Sequence, residues 1–228
     1  MSSFVVLSEK KWNSGLAKNL SILTGDKWVL ISEKNKFTKD FLTEINAKKV
    51  FIPHWSYLIP SSIFENFECI LFHMTDLPYG RGGSPLQNLI VRGYKKTKIS
   101  AIRVESGLDT GDIYLKKELS LAGSAKVIFE RANHLIFKMI LEIIKLNPTP
   151  LKQIGQPYNF KRRTPEMSSI KDLEKLEEIY DYIRMLDADG YPNAYLETEN
   201  FKFEFKKASL IDNKSIKAVV KIILKNRK

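Results

Sequence analysis

A histidine and an aspartate stand where two apolar runs of the sequence end, and they are the residues best suited to chemistry. The run that begins at Cys69 ends at His73, and a second run, 99–104, leads into the loop that carries Asp109. Open parallel sheets build ligand sites at the carboxyl ends of their strands. We therefore expect His73 and Asp109 to meet at such an edge and to act as a general acid/base pair.

The segment between these two residues has the pattern of a loop followed by a capped helix. Ser84 and Gln87 have the spacing of a capping box, Pro85 takes the first helical position, and Gly93 stands where a left-handed residue would end the helix. A flexible loop before a surface helix is the simpler interpretation, but it explains fewer of these features. Glycines before the helix would let the backbone approach a ligand closely, at Gly80, Gly82 and Gly83.

Both loops resemble the signature of the formyltetrahydrofolate-dependent formyltransferases, which include enzymes acting on methionyl-tRNA, glycinamide ribonucleotide and amino sugars. The resemblance covers about residues 50–165. The sequence of residues 72–87 is most similar to that of short sugar N-formyltransferases that act on nucleotide-linked amino sugars, such as pseudaminic acid precursors. The matching residues are His73, Leu77, Pro78, Arg81, Gly82, Pro85, Gln87 and the run 108–112.

One position departs from the family pattern. The family has a catalytic asparagine two residues before the histidine, and Leu71 stands there in this sequence. The resemblance therefore implies only His73 and Asp109 as catalytic residues. His73 would take the amine proton or stabilise the oxyanion, and Asp109 would orient its ring and relay a proton. The candidates for the missing hydrogen bond are Thr75, Asn88 and a backbone N–H near Gly82.

The resemblance implies 10-formyltetrahydrofolate as the formyl donor. In the family, the segment before the catalytic strand wraps the pterin ring with main-chain polar groups and apolar side chains, a combination that suits a dry pocket. The three histidines and one cysteine have no metal-ligand spacing, so we expect no metal. The expected folate-binding residues are Tyr57, Leu58, Ile59, Val104, Glu105, Ser106, Gly107, Leu108 and Asp112.

An aromatic and basic strip after the longest predicted helix is a candidate site for the acceptor. Two aromatic residues lead into three successive cations, so the strip could stack a nucleobase and hold a diphosphate. A solvent-exposed polar segment that only connects two elements explains the same residues equally well. Together with the loop after the histidine, the candidate substrate-binding residues are Tyr79, Arg81, Gly82, Gly83, Tyr158, Phe160, Arg162 and Arg163.

Composition limits the class of protein and of partner. The 228 residues carry 37 basic and 26 acidic side chains, a net charge of +11, which favours an anionic partner such as a nucleotide, a polyglutamylated folate or RNA. A basic surface that only keeps the chain soluble explains the charge as well. The sequence has no basic leader and no apolar stretch of membrane-spanning length, so we expect a cytoplasmic protein without a signal peptide.

The order of the predicted elements indicates an α/β fold. Short apolar strands at 4–8, 28–31 and 50–52 alternate with helices at 13–23 and 38–48, which predicts a Rossmann-like parallel or mixed sheet flanked by helices. A long amphipathic helix is expected from Ser124 to Leu146.

The C-terminal part has a different pattern. A helix is predicted at 170–186, followed by strands at 194–196, 201–205 and 216–224 and a basic tail. We therefore expect a catalytic domain at 1–150 with a shortened N-terminal nucleotide-binding half, a linker at 151–169, and a small α+β extension at 170–228.

The resemblance implies an N-formyltransferase that acts on a nucleotide-linked amino sugar, for example UDP-4-amino-4,6-dideoxy-N-acetyl-altrosamine. Its partners would be small molecules, with no membrane and no nucleic acid, and a homodimer is compatible with the sequence. A methionyl-tRNA formyltransferase is the first alternative. The charge favours it, but only about sixty residues follow the linker, too few for the usual RNA-binding barrel. A non-catalytic folate-binding protein is the second alternative, because Leu71 replaces the catalytic asparagine of the family.

Overall fold

The structure is a computed structural model that describes residues 3–212 and 214–225. These residues form two compact units whose boundaries alternate along the chain. The first unit holds residues 3–82, 97–119 and 130–159, and the second holds 83–96, 120–129 and the described residues from 160 onward. The proposed domain boundaries at 150 and 170 stay a prediction, and the basic tail at 226–228 lies outside the described residues.

The first unit is built around a six-stranded mixed sheet, which confirms the predicted fold class. The strand order is β2-β1-β3-β4-β6-β7. The strands up to residue 160 are β1 (Ser3–Ser8), β2 (Lys27–Ile31), β3 (Ala47–His54), β4 (Glu68–His73), β5 (Tyr79–Gly82), β6 (Lys96–Arg103), β7 (Ile113–Ser120) and β8 (Tyr158–Phe160).

The direction of β6 differs from the expectation of two strands ending at one edge. Strands β1 to β4 are parallel, but β6 runs antiparallel to β4, with Ser100 opposite His73 and Arg103 opposite Ile70. The carboxyl end of β6 therefore lies beside Ile70 and not beside His73. The loop between β6 and β7 has to return along the sheet to bring Asp109 to the histidine.

The helices follow the apolar periodicity where that pattern is long. The chain has α1 (Leu16–Thr24), α2 (Lys39–Glu44), α3 (Ser61–Phe64), α4 (Pro85–Ile90), α5 (Ala125–Leu146) and α6 (Leu176–Arg184). The bounds of α5 match the prediction, and its apolar stripe is buried at residues such as Ile136, Met139, Ile140 and Ile143. Two shorter helices were predicted too long. Asn46 has a φ of 50° beyond the end of α2, and α6 begins only at Leu176.

The predicted capping box at α4 is wrong. Pro85 does begin the helix and Gly93 does follow it with a left-handed φ of 77°. Ser84, however, has a φ of 51°, and its hydroxyl accepts the backbone N–H of Arg163 at 3.1 Å. The Gln87 amide donates to the carbonyl of Met185 at 3.1 Å. Contacts distant in sequence have taken both side chains away from the helix end.

The core of the first unit lies against the parallel strands. Apolar side chains of β1, β3 and β4 form one buried cluster that includes Val5, Leu7, Ile52 and Cys69. Burial, with a smaller contribution from the carboxylate of Glu68, raises the pKa of the Cys69 thiol to about 12, so the thiol stays protonated and unreactive.

The second unit contains an antiparallel sheet of β9 (Ala194–Glu197), β10 (Phe201–Ile211) and β11 (Ser215–Leu224), in the order β11-β10-β9. Arg184 in α6 is buried, and its guanidinium donates to Asp181 and to the carbonyls of Leu121 and Gly123. Within residues 3–212 and 214–225, no helix has both the length and the apolar content needed to cross a bilayer.

His54, at the end of β3, is a structural histidine. Asn13 is buried beside it, with its amide nitrogen 3.4 Å from the His54 Nδ1, and the ring of Trp12 meets the imidazole edge-on at 5.8 Å. Burial, with a smaller contribution from the charge of Lys10, lowers the pKa of His54 to about 4. The histidine is therefore neutral in the folded protein at neutral pH.

This shifted pKa predicts acid sensitivity. From about pH 6.5 down to about pH 4, the unfolded chain protonates His54 and the folded chain does not, so the free energy of unfolding falls as the pH falls. Replacing His54 by Gln should remove about 2–3 kcal/mol of the difference between urea unfolding at about pH 7 and about pH 4.5. His134→Gln, at an exposed histidine of α5, is the control. An unchanged pH dependence in the His54 variant would contradict the assignment.

Candidate active site

His73 is held at the end of β4 with its ring largely buried, 7% exposed. Its Nε2 lies 2.7 Å from the carbonyl oxygen of Gly80. A carbonyl oxygen only accepts hydrogen bonds, so Nε2 carries the hydrogen of the neutral ring. The other nitrogen, Nδ1, is then the one that can take a proton.

The loop after His73 is folded so that this carbonyl is fixed. The Thr75 hydroxyl also donates to the Gly80 oxygen, at 3.3 Å, and Gly80 has a φ of 83° that favours glycine. Ser100 holds the loop from β6, since its hydroxyl donates to the Thr75 carbonyl at 2.7 Å and accepts the N–H of Leu77 at 3.3 Å. The tautomer of His73 is thus set by a buried hydrogen-bonded turn.

Two lysines flank the same loop at Asp76. The Nζ of Lys116 lies 2.5 Å from one carboxylate oxygen and the Nζ of Lys98 lies 3.0 Å from the other. Partial burial raises the pKa of Asp76, but the hydrogen bonds and charges of the two lysines outweigh that effect and leave it below its usual value. Asp76 is therefore ionised and ties the loop to β6 and β7.

Asp109 faces the second nitrogen of His73. Its Oδ2 lies 3.5 Å from Nδ1 and accepts the backbone N–H of Gly82 at 2.8 Å. Its backbone has a φ of 54°, an uncommon conformation for a residue with a side chain. The loop also needs glycine at 111, where a Cβ would lie 1.7 Å from the carbonyl oxygen of Arg103. A carboxylate is thus held where it can stabilise an imidazolium formed at Nδ1.

Gln153 is a residue of this site that the sequence did not single out. Its amide nitrogen donates to the carbonyls of Asp109 and Gly111, and its amide oxygen accepts from the Arg81 guanidinium. The sequence predicted a linker at 151–169, and a single glutamine in a polar segment carries no pattern that would have marked it. Arg81, predicted to bind substrate, is engaged by this contact.

The expected folate-binding residues differ in how far they are buried. Leu71, Ile59 and Val104 all pack against the buried cluster of the first unit. Leu58 and Leu108 are 83% and 60% exposed. Also exposed are Tyr57, Glu105 and Ser106, and partly buried are Gly107 and Asp112. The folate-binding roles of the nine residues other than Leu71 stay predictions.

The three groups considered as substitutes for the missing asparagine are already engaged. The hydroxyl of Thr75 donates to Gly80, and the N–H of Gly82 donates to Asp109. Asn88, in the second unit, donates to the carbonyls of Gly83, Ser84 and Lys161. In this conformation each of the three makes a hydrogen bond within the chain.

The expected acceptor residues fall into two groups. Within the first unit, the rings of Tyr79 and Tyr158 stack at 5.2 Å with an interplanar angle of 21°, and Tyr158 is 46% exposed. Their substrate-binding roles stay predictions.

Within the second unit, Phe160 is buried under the guanidinium of Arg92 at 4.8 Å. Arg163 donates to the Met167 carbonyl and covers the ring of Tyr182. Arg162 is exposed and packs closely against Gly83. The ring of Phe160 and the charge of Arg163 are therefore used inside the fold, whereas Arg162 faces solvent.

Among residues 3–212 and 214–225, the structure has no group of three His, Cys, Asp or Glu side chains that could hold a metal ion.

Known family models match two parts of this chain. A family model described as "Formyl transferase" matches residues 5–127, which include both His73 and Asp109. The chain belongs to the formyl transferase family. A second model, described as "Methionyl-tRNA formyltransferase, C-terminal domain", matches residues 165–223 of this family member. The argument that too few residues follow the linker for a methionyl-tRNA formyltransferase is therefore wrong.

Individual relatives carry two kinds of description. A methionyl-tRNA formyltransferase from Clostridium thermocellum is 47% identical, with a TM-score of 0.94 over 99% of this chain and 100% of that chain. The methionyl-tRNA formyltransferase of Rickettsia typhi is 28% identical over 200 residues, 79% of this chain, and the chain spans 65% of that relative's length. A sugar N-formyltransferase from a Shewanella species has the same fold, with 15% identity and a TM-score of 0.70 over 96% of each chain.

The His73 and Asp109 geometry predicts different effects for two substitutions. His73→Asn should lower kcat for formyl transfer by roughly a hundredfold or more, because the proton acceptor is lost. Asp109→Asn should keep affinity for a stable folate analogue while losing most turnover, because the amide oxygen can still accept the N–H of Gly82 but the charge beside Nδ1 is gone. Calorimetric titration and single-turnover assays measure the two effects.

Each half of this prediction can fail on its own. Near wild-type turnover in His73→Asn would remove His73 from the mechanism. An equal loss of folate binding and turnover in Asp109→Asn would mean that Asp109 only supports the loop.

Proposed function

We propose that this chain transfers the formyl group of 10-formyltetrahydrofolate to a primary amine. The observation that carries the proposal is the buried pair of His73 and Asp109, in which a fixed tautomer presents Nδ1 toward a carboxylate 3.5 Å away. Membership of the formyl transferase family supports the donor. The partly buried apolar side chains of Ile59, Leu71 and Val104 suit contact with a flat ring system that must be kept from water.

The two residues divide the work of the proposed reaction. The amine nitrogen attacks the formyl carbon, and the bond from that carbon to the folate nitrogen breaks. His73 accepts the amine proton at Nδ1 and returns it to the folate nitrogen as that bond breaks, so the histidine ends neutral. Asp109 stabilises the intervening imidazolium by its charge.

Because Leu71 stands in place of the asparagine, the imidazolium of His73 must also stabilise the developing oxyanion in this proposal. A hydrogen-bond donor to a developing oxyanion is typically worth about 2.7–4 kcal/mol, and a leucine side chain supplies none. The positive charge of the protonated His73 is the substitute that the site can offer. If that substitute is too weak, the chain would be the second alternative given above, a folate-binding protein without turnover.

For the acceptor we propose methionyl-tRNA. A methionyl-tRNA formyltransferase was the first alternative that the sequence left open. The C-terminal match at 165–223 and the relative that is 47% identical support it. The sheet of the second unit adds a physical reason, since residues paired across β10 and β11 share one face and that face is rich in lysine. Such a face suits a phosphate backbone. Its lysines are Lys202, Lys206, Lys217 and Lys221.

A nucleotide-linked amino sugar is the second candidate. The stacked rings of Tyr79 and Tyr158 favour it, because a half-exposed aromatic platform in the first unit suits a nucleobase. The platform lies in the same unit as His73, as a small acceptor would require.

One assay separates the candidates. The purified chain is given 10-formyltetrahydrofolate with either methionyl-tRNA or a panel of UDP- and dTDP-linked amino sugars. We expect formylmethionyl-tRNA, with a KM for tRNA that rises steeply with salt because counterions compete for the lysines. Lys217→Glu combined with Lys221→Glu should raise that KM at least about tenfold and leave the donor KM unchanged.

A matched substitution tests the other acceptor. Tyr158→Ala should leave tRNA formylation within about twofold of wild type, because the proposed RNA contact is on the β10–β11 face. Formylation of a sugar but not of tRNA, with a raised sugar KM in Tyr158→Ala, would replace the proposal by the second candidate. Folate binding without transfer to either acceptor would contradict both.

A further inference from the structure

The segment 151–158, here named the strap, runs past both loops of the candidate active site within the first unit. At one end, Leu151 and Ile113 exchange two backbone hydrogen bonds of 2.7 and 2.9 Å. At the other end, the N–H of Tyr158 donates to the carbonyl of Pro78 at 3.2 Å. Gly155 has a φ of 119° and lies against the ring of Pro78. The strap is therefore an ordered part of the catalytic unit.

Gln153 links two loops from the middle of this strap. Its Nε2 donates to the carbonyl of Asp109 at 2.8 Å and to that of Gly111 at 2.9 Å. Its Oε1 accepts from the Nη2 and Nε of Arg81 at 2.7 and 3.1 Å. One amide thus ties the loop after β6 to the strand that follows His73.

The amide has one orientation that satisfies all four contacts. Arg81 has only donors and the two carbonyls have only acceptor oxygens, so a flipped amide would set donor against donor and oxygen against oxygen. A glutamate at this position could accept from Arg81 but could not donate to the loop. The contact therefore requires a glutamine, and the two halves of its amide can be tested separately.

The contact acts on the residue whose backbone is strained. Asp109 has a φ of 54°, and such a conformation persists where the surroundings fix it. Gln153 holds the carbonyl of this residue and the one two positions later, and the Oδ2 of Asp109 then meets the N–H of Gly82 and the Nδ1 of His73. Release of the carbonyls would let the carboxylate move away from the histidine.

We propose that Gln153 is a positioning residue for formyl transfer, which holds the Asp109 carboxylate beside His73 through the backbone of the Asp109 loop. The proposal rests on the proposed function for its kinetic consequence. The effect of Gln153 on the position of Asp109 is independent of the proposed function, because that position can be measured in the protein without substrates.

The kinetic test compares Gln153→Ala and Gln153→Glu with Gln156→Ala, an exposed glutamine of the same strap. Both Gln153 variants should lose roughly 10- to 100-fold in kcat with little change in the KM of donor or acceptor, because the carboxylate is misplaced and not removed. Gln153→Glu should lose as much as Gln153→Ala although it keeps a partner for Arg81. The Gln156 variant should match wild type.

A second readout follows the contact itself. The amide proton of Gly82 reports its hydrogen bond to Asp109, so its NMR signal should move upfield in both Gln153 variants, toward its position in Asp109→Ala. An unmoved Gly82 signal, wild-type kcat, or a raised KM at unchanged kcat would each overturn the proposal. A wild-type chain that transfers no formyl group would defeat the proposed function, and the Gly82 signal would still decide whether Gln153 positions Asp109.

Discussion

The hydrogen bond between the Nε2 of His73 and the carbonyl of Gly80 is the constraint on which the candidate active site depends. It is 2.7 Å long, buried, and made to a group that can only accept. It leaves Nδ1 as the single nitrogen that can exchange a proton, and it is Nδ1 that faces Asp109. The turn at 75–80 and the contact from Ser100 have the common effect of keeping this carbonyl in place.

The fold could be predicted from sequence where one pattern covers a whole element. The amphipathic pattern of α5 belongs to a helix of 22 residues, and the ends of that helix match the prediction. The parallel strands β1 to β4 followed from alternation of apolar runs with short helices. The direction of β6 did not follow, because antiparallel and parallel strands have the same local pattern and the connection alone decides between them.

The site was predictable only in part, for a related reason. His73 and Asp109 stand in a long motif, and the structure brings them to 3.5 Å. Gln153 and Ser100 act through contacts with loops far along the chain, and nothing in their neighbours marks them. Ser84 and Gln87 fit a local rule, yet each makes a bond with the segment beyond residue 160 that the rule cannot anticipate. Tertiary contacts therefore explain why Gln153 and Ser100 were missed and why the predicted capping box was wrong.

The 15N spectrum of the His73 ring tests the tautomer most directly. Long-range 1H–15N correlation of the labelled protein, with the signal assigned by loss in His73→Gln, shows which ring nitrogen carries hydrogen above neutral pH. The hydrogen bond to Gly80 predicts the Nε2–H form, in which the Nδ1 signal shifts far more than the Nε2 signal when the ring is protonated. A neutral ring with its hydrogen on Nδ1 would contradict the assignment of Nδ1 as the proton acceptor and the role of Asp109 with it.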